Sequence, residues 1–195
     1  MSTEIATRCV RELRHRGYES VVTSALALAG ATAFLDAGFV VRERLDLFEH
    51  TMEALPAPEL PCGRMRRADQ PSVLMVDRLA FTDAWRLDAD GLGDAIAATP
   101  ITRARIARDP DVIAYAITGR AGRQGYLQRV AVHPNVRRQG WGRSLVADAL
   151  AWLDRHAIAR TVVNTQVDNA PAQSLYRSCG FELLPVGLCV LGRDL

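Results

Sequence analysis

The stretch that decides the fold runs over residues 130–144 and reads Val130-Ala131-Val132-His133-Pro134-Asn135-Val136-Arg137-Arg138-Gln139-Gly140-Trp141-Gly142-Arg143-Ser144. It begins as an apolar strand, passes through a short polar loop and reaches two closely spaced glycines where a helix begins. Backbone amides at a helix N-terminus are unpaired and lie at the positive end of the helix dipole. Glycine lets another molecule approach the backbone closely, so the stretch predicts a phosphate- or pyrophosphate-binding loop.

The surroundings of this loop favour the same interpretation. Arg137, Arg138 and Arg143 supply charge-assisted donors for an anion. A plain glycine-rich turn with solvated arginines would be the better interpretation of an isolated Gly-x-Gly. Here the strand, the arginines and a long helix follow in order, and that helix carries an apolar stripe through Leu145 and Leu153. The combination indicates phosphate binding.

A second polar series follows, from Asn164 to Tyr176, and ends in Cys179-Gly180-Phe181. Asn169 stands at a helix N-cap position, and Pro171 falls in the first turn of that helix. Gly180 has the position of a helix C-terminus. Taken alone, Tyr176 in this helix is as consistent with a packing residue as with a catalytic one.

Hydrophobic periodicity gives the order of elements in this part of the chain. It predicts β-α-α-β-β-β-α-β-α-β-β, a mixed α/β sheet with helices on its faces. The predicted strands are 64–67, 101–107, 112–118, 126–132, 161–167, 181–184 and 188–191, the helices are 72–81, 91–98, 144–155 and 170–179, and 119–125 is a glycine-rich turn.

These residues together resemble the GNAT superfamily of N-acetyltransferases. The series Arg137-x-x-Gly140-x-Gly142 matches the pyrophosphate-loop pattern of that family, Q/R-x-x-G-x-G/A, and Asn169 to Phe181 matches its later motif. The resemblance covers nearly all of residues 61–195. It implies the GNAT fold, a mixed twisted sheet with helices on both faces, and acetyl-CoA as co-substrate without a metal.

The resemblance also implies a mechanism, in which a primary amine attacks the thioester directly in a ternary complex. The amide of Val130 would face the thioester carbonyl, and Tyr176 would donate a proton to the departing thiolate. Asn169 would contact the cofactor arm or fix the loop. The cofactor-binding residues implied are Val130, Ala131 and Val132 for the pantetheine arm, Arg137, Arg138, Gln139, Gly140, Trp141, Gly142 and Arg143 for the pyrophosphate, and Asn169.

The chain departs from similar ribosomal-protein alanine acetyltransferases at the general base. Those relatives carry a glutamate where this chain has Asn164, and other members carry an acid where Gln128 and Arg129 stand. No general base is therefore assigned. His133 has suitable chemistry but is expected in the loop turn. Water that relays a proton to a distant carboxylate is the remaining alternative.

The N-terminal segment resembles the end of the chain. Ala31 to Phe39 parallels Ala172 to Phe181 with a gap of one residue, so either Phe34 or Leu35 stands where Tyr176 stands. The predicted elements are helix 2–16, strand 20–26, helix 30–37 and strand 39–49, which is half of a GNAT domain without a phosphate loop. We expect a degenerate partial repeat at 1–54, a proline-rich linker at 55–61 and the catalytic domain at 62–195.

Composition limits the other interpretations. The four cysteines lack metal-ligand or disulfide spacing. Residues 61–195 hold eighteen arginines and thirteen acidic residues, a net charge of +5, which suits a polyanionic small ligand but is too dispersed for nucleic acid. No apolar run reaches bilayer length, so a cytoplasmic protein is expected. The half-domain is expected to pack on the catalytic domain or on a second copy in a homodimer. An acceptor that is a protein or peptide amine, a small-molecule amine, and a non-catalytic acetyl-CoA-binding module all stay open.

Overall fold

The computed structural model describes residues 2–195. From residue 61 onward its helices and strands follow the predicted order. In chain order the elements are α1 Thr3–His15, β1 Ser20–Val22, β2 Leu26–Ala27, α2 Leu28–Asp36, β3 Val40–His50, β4 Gly63–Arg64, α3 Gln70–Ala80, α4 Ala89–Ala97, β5 Ile101–Arg108, β6 Val112–Ala121, β7 Gln124–Val132, α5 Trp141–Asp154, β8 Arg160–Gln166, α6 Ala170–Ser178, β9 Glu182–Leu183 and β10 Leu188–Asp194, with short 3₁₀ turns at Arg67–Asp69, Asp83–Trp85 and Pro134–Val136.

The described chain forms two compact units, and both are discontinuous in sequence. The larger unit consists of Glu49–Val163 and Ser174–Glu182. The smaller unit consists of the residues up to Phe48 together with Asn164–Gln173 and Leu183–Leu195. The division into a repeat, a linker and a catalytic domain concerns the origin of these segments and stays a prediction.

The larger unit is a mixed sheet covered on both faces. Strands β4 to β7 are antiparallel neighbours, and β7 pairs in parallel with β8. Alternate residues of β6 point to opposite faces. Tyr115 and Ile117 pack against α3 and α4, whereas Ala114 and Ala116 pack in the cluster that contains Trp141 of α5. The predicted mixed sheet with helices on both faces is therefore confirmed.

The smaller unit is organised around β10. This strand lies between β3 on one side and the short strands β1 and β2 on the other, and all of these pairings are antiparallel. Helices α1 and α2 bury Ala6, Val10 and Ala31 against Phe39 and Leu191. The apolar stripes of both helices thus face the same side of this small sheet.

Two predicted segments are divided differently in the structure. The strand expected at 20–26 is broken into β1 and β2, because the hydroxyl of Thr23 accepts the backbone N–H of Leu191 at 3.1 Å in place of a strand carbonyl. The strand expected at 64–67 is only Gly63–Arg64. It ends early because the carboxylate of Asp69 accepts the Arg66 N–H at 2.8 Å and closes a 3₁₀ turn.

The glycine-rich turn predicted at 119–125 was wrong in extent. Strand β6 continues to Ala121 and β7 begins at Gln124, so that only Gly122 and Arg123 form the turn. Gly119 and Gly125 lie within the strands. Glycine is needed at both positions because neighbouring side chains leave no room for a Cβ atom. A Cβ atom on Gly119 would lie 2.1 Å from the Thr99 hydroxyl oxygen, and one on Gly125 would lie 2.6 Å from that of Thr161.

Candidate active site

The loop between β7 and α5 is built around one left-handed glycine. His133 accepts the Asn135 N–H on its Nδ1 atom at 3.2 Å and caps the 3₁₀ turn, which is a structural use of this ring. Arg138 has a φ of 65°, and Gly140 has a φ of 90° as the N-cap residue of α5. A left-handed conformation costs glycine little. Helix α5 therefore begins at Trp141, three residues before the predicted Ser144.

The N-terminus of α5 carries no internal partner for its first amides. In the described chain no side chain caps this end, and no acidic residue lies in the first turn. The N–H groups of Trp141, Gly142 and Arg143 are in the positions that a helix leaves unpaired. A helix of 14 residues that begins this way presents donors and a positive dipole end to an anion.

Two of the three predicted arginines at this end already hold local partners. Arg137 donates to the carbonyls of Val132 and Ala80, both at 3.4 Å. Arg143 lies 3.6 Å from the carboxylate of Glu59 in an exposed ion pair. These are long, weak contacts that a phosphate group could replace.

The edge of β7 presents its backbone groups in the way the prediction requires. His133 N–H donates to the Ile113 carbonyl of β6 at 2.8 Å, and Ala131 is paired with Tyr115. Backbone groups alternate in direction along a strand. The N–H groups of Val130 and Val132 therefore point away from β6, and the Arg137 contact to the Val132 carbonyl agrees with this direction. Val130 thus offers a backbone donor at the edge of the strand.

Gly142 brings the start of α5 against helix α6. A Cβ atom at this position would lie 3.2 Å from Leu175 Cδ2 and 3.5 Å from Val132 Cγ2. Leu175 precedes Tyr176 in the chain. The structure therefore brings together the start of α5, the end of β7 and the helix that carries Tyr176. A substitution at Gly142 would disturb this packing as well as any bound phosphate.

Tyr176 is buried, with 6% of its surface exposed. Its ring packs against Phe181, with the centroids 5.9 Å apart. Burial raises the pKa of the Tyr176 phenol well above its usual range, and the nearby Arg129 guanidinium acts in the opposite direction. The phenol therefore keeps its proton at neutral pH.

Asn169 caps α6 with both ends of its amide. Its Oδ1 accepts the Ala172 N–H at 3.2 Å, and its Nδ2 donates to the Thr165 hydroxyl at 3.0 Å. This is the arrangement expected of an N-cap asparagine. These contacts are consistent with one of the two roles predicted for Asn169, that of fixing the local backbone. Its contact with a cofactor stays a prediction.

A buried acid near β7 was missed by the sequence analysis. Asp77 of α3 is fully buried, and its Oδ2 accepts from Arg129 Nη2 at 2.7 Å and from the Tyr115 hydroxyl. Its Oδ1 accepts the Leu87 N–H at 2.8 Å. Both oxygens of this carboxylate are thus already occupied by donors of the protein. The one available signal was an aspartate beside Val73 and Val76 on the apolar stripe of its helix.

The buried thiols and the acids supply no alternative chemistry in the described residues. Burial raises the pKa of Cys62 to about 11, and burial also raises the pKa of Cys179. A protonated thiol is a weak nucleophile. No three His, Cys, Asp or Glu side chains between residues 2 and 195 form a metal-binding group. No helix in that range is long and apolar enough to cross a bilayer.

Comparison with known proteins decides the family. The model of the acetyltransferase (GNAT) family matches residues 73–181, which include the loop between β7 and α5 and Tyr176. The chain belongs to the GNAT family. It is thus an N-acetyltransferase by family, and acetyl-CoA is the acetyl donor of that family.

Relatives of this GNAT chain include an enzyme that acts on a ribosomal protein. The [ribosomal protein bS18]-alanine N-acetyltransferase of Escherichia coli K12 is 31% identical over 119 residues, which are 60% of this chain and 77% of the relative. A crystal structure of the ribosomal-protein-S18-alanine N-acetyltransferase from Escherichia coli has a TM-score of 0.57 at 19% identity, over 69% of this chain and 92% of that chain.

Two further solved structures share the fold over nearly the whole GNAT chain. A GCN5-related N-acetyltransferase from Sphaerobacter thermophilus has a TM-score of 0.67 at 12% identity, over 96% of this chain and 64% of that chain. A tandem GNAT protein from the clavulanic acid biosynthesis pathway has a TM-score of 0.67 at 14% identity, over 96% of this chain and 68% of that chain. At these identities the likeness concerns the fold alone.

Proposed function

We propose that this GNAT chain transfers the acetyl group of acetyl-CoA to a primary amine of a protein or peptide. The observation that carries the proposal is the open N-terminus of α5 directly after a strand whose Val130 N–H points away from its neighbour. The first group can hold a pyrophosphate and the second can hold a thioester carbonyl. Both groups belong to the same strand–loop–helix unit.

Binding begins at the loop. The amides from Arg138 to Arg143 receive the pyrophosphate, and Arg137 and Arg143 exchange their weak local partners for its oxygens. Arginine forms strong charge-assisted bonds to phosphate. The backbone of Val130 to Val132 then pairs with the amides of the pantetheine arm, which places the thioester along the edge of β7.

The chemical step is a direct attack of the amine nitrogen on the thioester carbonyl. The carbonyl oxygen gains negative charge, and the Val130 N–H stabilises that charge. The carbon–sulfur bond then breaks, and the Tyr176 hydroxyl gives its proton to the leaving sulfur. The amine loses its proton to water, because Asn164 offers no base and Asp77 is occupied by Arg129 and Tyr115. The raised thiol pKa values of Cys62 and Cys179 also favour direct transfer over an acyl-enzyme.

The choice of a protein or peptide amine rests on the relative that acts on a ribosomal protein. A screen of CoA release over N-terminal peptides, amino acids, polyamines and aminoglycosides tests it. Turnover that is fastest with N-terminal peptides supports the proposal. Turnover confined to small amines would show that the acceptor is a small-molecule amine and not a protein or peptide. Acetyl-CoA binding without turnover on any amine would show that the protein is a non-catalytic binding module.

We also propose that residues 1–54 are a degenerate GNAT repeat in a protein of the cytoplasm. The fold shared with a tandem GNAT protein supports the repeat. Helix α1 begins with a Ser2 side-chain cap and has Glu4 in its first turn, unlike α5. This end offers no phosphate site, so we expect one mole of acetyl-CoA per chain in equilibrium dialysis. Two moles would contradict the degenerate repeat.

A further inference from the structure

A basic groove lies in the larger unit, outside the loop and Tyr176. It has a volume of about 880 Å³ and is open to solvent. We define the arginine groove by Arg64 of β4, Arg66 and Arg67 of the following turn, and Arg108 at the end of β5. Gly63 and Met65 also line the groove. Four of its lining residues are therefore arginines.

The four arginines of the groove outnumber its acidic residues. Asp69 is the one acidic residue among its lining residues, and it accepts the Arg66 N–H and pairs with Arg108. The Arg66 N–H, with further help from Arg108, holds the pKa of Asp69 below its usual range, so the carboxylate stays ionised. Among residues 2–195, Arg64 and Arg67 form no ion pair. The groove keeps an excess of positive charge.

The position of the groove adds backbone groups to this charge. Within residues 2–195, strand β4 is the last strand of the larger unit's sheet and pairs with β5 alone, as Gly63 with Ile106 and Arg64 with Arg105. The other edge of a terminal strand presents free N–H and C=O groups that an extended chain can pair with. Charged side chains on an edge strand also serve simply to prevent aggregation. That simpler function needs no groove lined by four arginines.

We infer that the arginine groove binds an acidic, extended segment of the acceptor protein, at a site separate from the reacting amine. An extended chain pairs with the edge of β4, and its carboxylates meet the guanidinium groups, whose planar fork suits carboxylate geometry. This inference rests on the proposed function, because it assumes a protein acceptor. It predicts that acceptors are selected by an acidic region as well as by a free amine.

Binding is measured without catalysis to separate this inference from the proposed function. The probe is a fluorescent hexapeptide of alternating valine and glutamate whose amine is already acetylated, and the matched peptide carries glutamine instead of glutamate. Fluorescence anisotropy at low salt on the full chain should show about tenfold tighter binding of the glutamate peptide. Equal binding of the two peptides would overturn the inference.

Charge-reversal variants locate the site. The double variant Arg64→Glu/Arg67→Glu should lose about tenfold in affinity for the glutamate peptide and keep its affinity for acetyl-CoA. The matched control Arg123→Glu/Arg155→Glu reverses two exposed arginines outside the groove and should bind like the wild type. An equal loss in the control would overturn the inference. So would a weakened affinity of the groove variant for acetyl-CoA, because the groove would then serve the co-substrate.

Two more comparisons complete the test. A single-stranded hexanucleotide is measured in the same assay. If it binds more tightly than the glutamate peptide and loses affinity in the groove variant, the groove binds nucleic acid and the inference is overturned. Peptide binding that is lost in the groove variant, together with no acetyl transfer to any amine, would leave the groove in place and remove the proposed function. The two ideas therefore fail separately.

Discussion

Helices α2 and α6 end in the same way, although they belong to segments far apart in the sequence. Each ends at a glycine with positive φ, 82° at Gly38 and 89° at Gly180. The Phe39 N–H donates to the Phe34 carbonyl at 3.0 Å, and the Phe181 N–H donates to the Tyr176 carbonyl at 3.1 Å. These bonds align Phe34 with Tyr176, a choice between Phe34 and Leu35 that the sequence left open.

The aligned side chains are also packed alike, and they differ by one hydroxyl group. Phe34 and Phe39 are 5.3 Å apart between ring centroids, and Tyr176 and Phe181 are 5.9 Å apart. The aromatic ring is therefore explained by packing in both places. The two aligned residues differ at the phenol oxygen of Tyr176, the atom to which the proposed function gives the role of acid.

The largest expected effect comes from replacing Tyr176 of α6 by phenylalanine, the residue found at the aligned position of α2. Tyr176→Phe should lower kcat by about 10- to 1000-fold, because it removes the proton donor and keeps the ring. Affinity for acetyl-CoA by calorimetry should stay near that of the wild type. Phe34→Tyr is the matched control and should leave kcat unchanged. A wild-type kcat in Tyr176→Phe would make Tyr176 a packing residue like Phe34.

The next effect concerns acetyl-CoA binding and compares α1, which precedes α2, with α5, which precedes α6. Helix α1 has an acidic residue in its first turn and α5 has none. Arg143→Glu gives α5 such an acid and should weaken acetyl-CoA binding by about 10- to 100-fold, through repulsion of the pyrophosphate. Arg11→Glu on the exposed face of α1 is the control and should leave the dissociation constant unchanged. If calorimetry gave the same affinity for Arg143→Glu and the wild type, the α5 N-terminus would not be the phosphate site.

A smaller effect separates the two terminal glycines. Alanine is strained at a positive φ in both places. At Gly180 the new Cβ would also lie 2.9 Å from Nε2 of the buried His50, whereas at Gly38 it meets the end of the Arg193 side chain at 3.2 Å. Gly180→Ala should lower the free energy of unfolding by about 3 kcal/mol and Gly38→Ala by about 1 kcal/mol. Urea denaturation that gave equal losses would show that His50 moves aside.

The smallest effect concerns the helix starts, because Asn169 caps α6 and Ala27 leaves α2 without a side-chain cap. Asn169→Ala should destabilise the protein by about 1 kcal/mol, and Ala27→Asn should stabilise it by a similar amount. Thermal denaturation measures both. Affinity for acetyl-CoA should be unchanged in the two variants. A marked loss of that affinity in Asn169→Ala would instead make Asn169 a contact of the co-substrate.

Local patterns were enough to predict most of the architecture. The apolar stripes gave α3 and α5, and the glycine spacing gave the loop that ends at Gly140 with its left-handed backbone. Failures occurred where a distant residue decides the local structure. The sequence analysis assigned Gly119 and Gly125 to a turn because glycine is typical of turns. In the structure, the side chains of Thr99 and Thr161 exclude a Cβ atom at these strand positions, and both threonines are remote in sequence.

The same limit applies to the site. The sequence analysis noted Arg129 only as a position where other family members carry an acid. Its ion pair with Asp77 was missed because Asp77 lies on another element and no local pattern links the two residues. The direction of the Val130 amide was implied only by the family resemblance, because it depends on the register between β6 and β7, which local patterns do not encode. Residues that act through their own type and spacing could be found, whereas those that act through a tertiary partner could not.

The position of β10 between β3 and the strands β1 and β2 has a consequence for synthesis on the ribosome. The first three strands are made early, yet the strand that joins them emerges only after the whole larger unit has been translated. The N-terminal segment must wait for it without a completed sheet, so the residues of β1, β2 and β3 that pair with β10 stay unpaired until then. Unpaired strand edges in a waiting chain aggregate readily. Slow translation should therefore lower the yield of this protein and make it depend on chaperones.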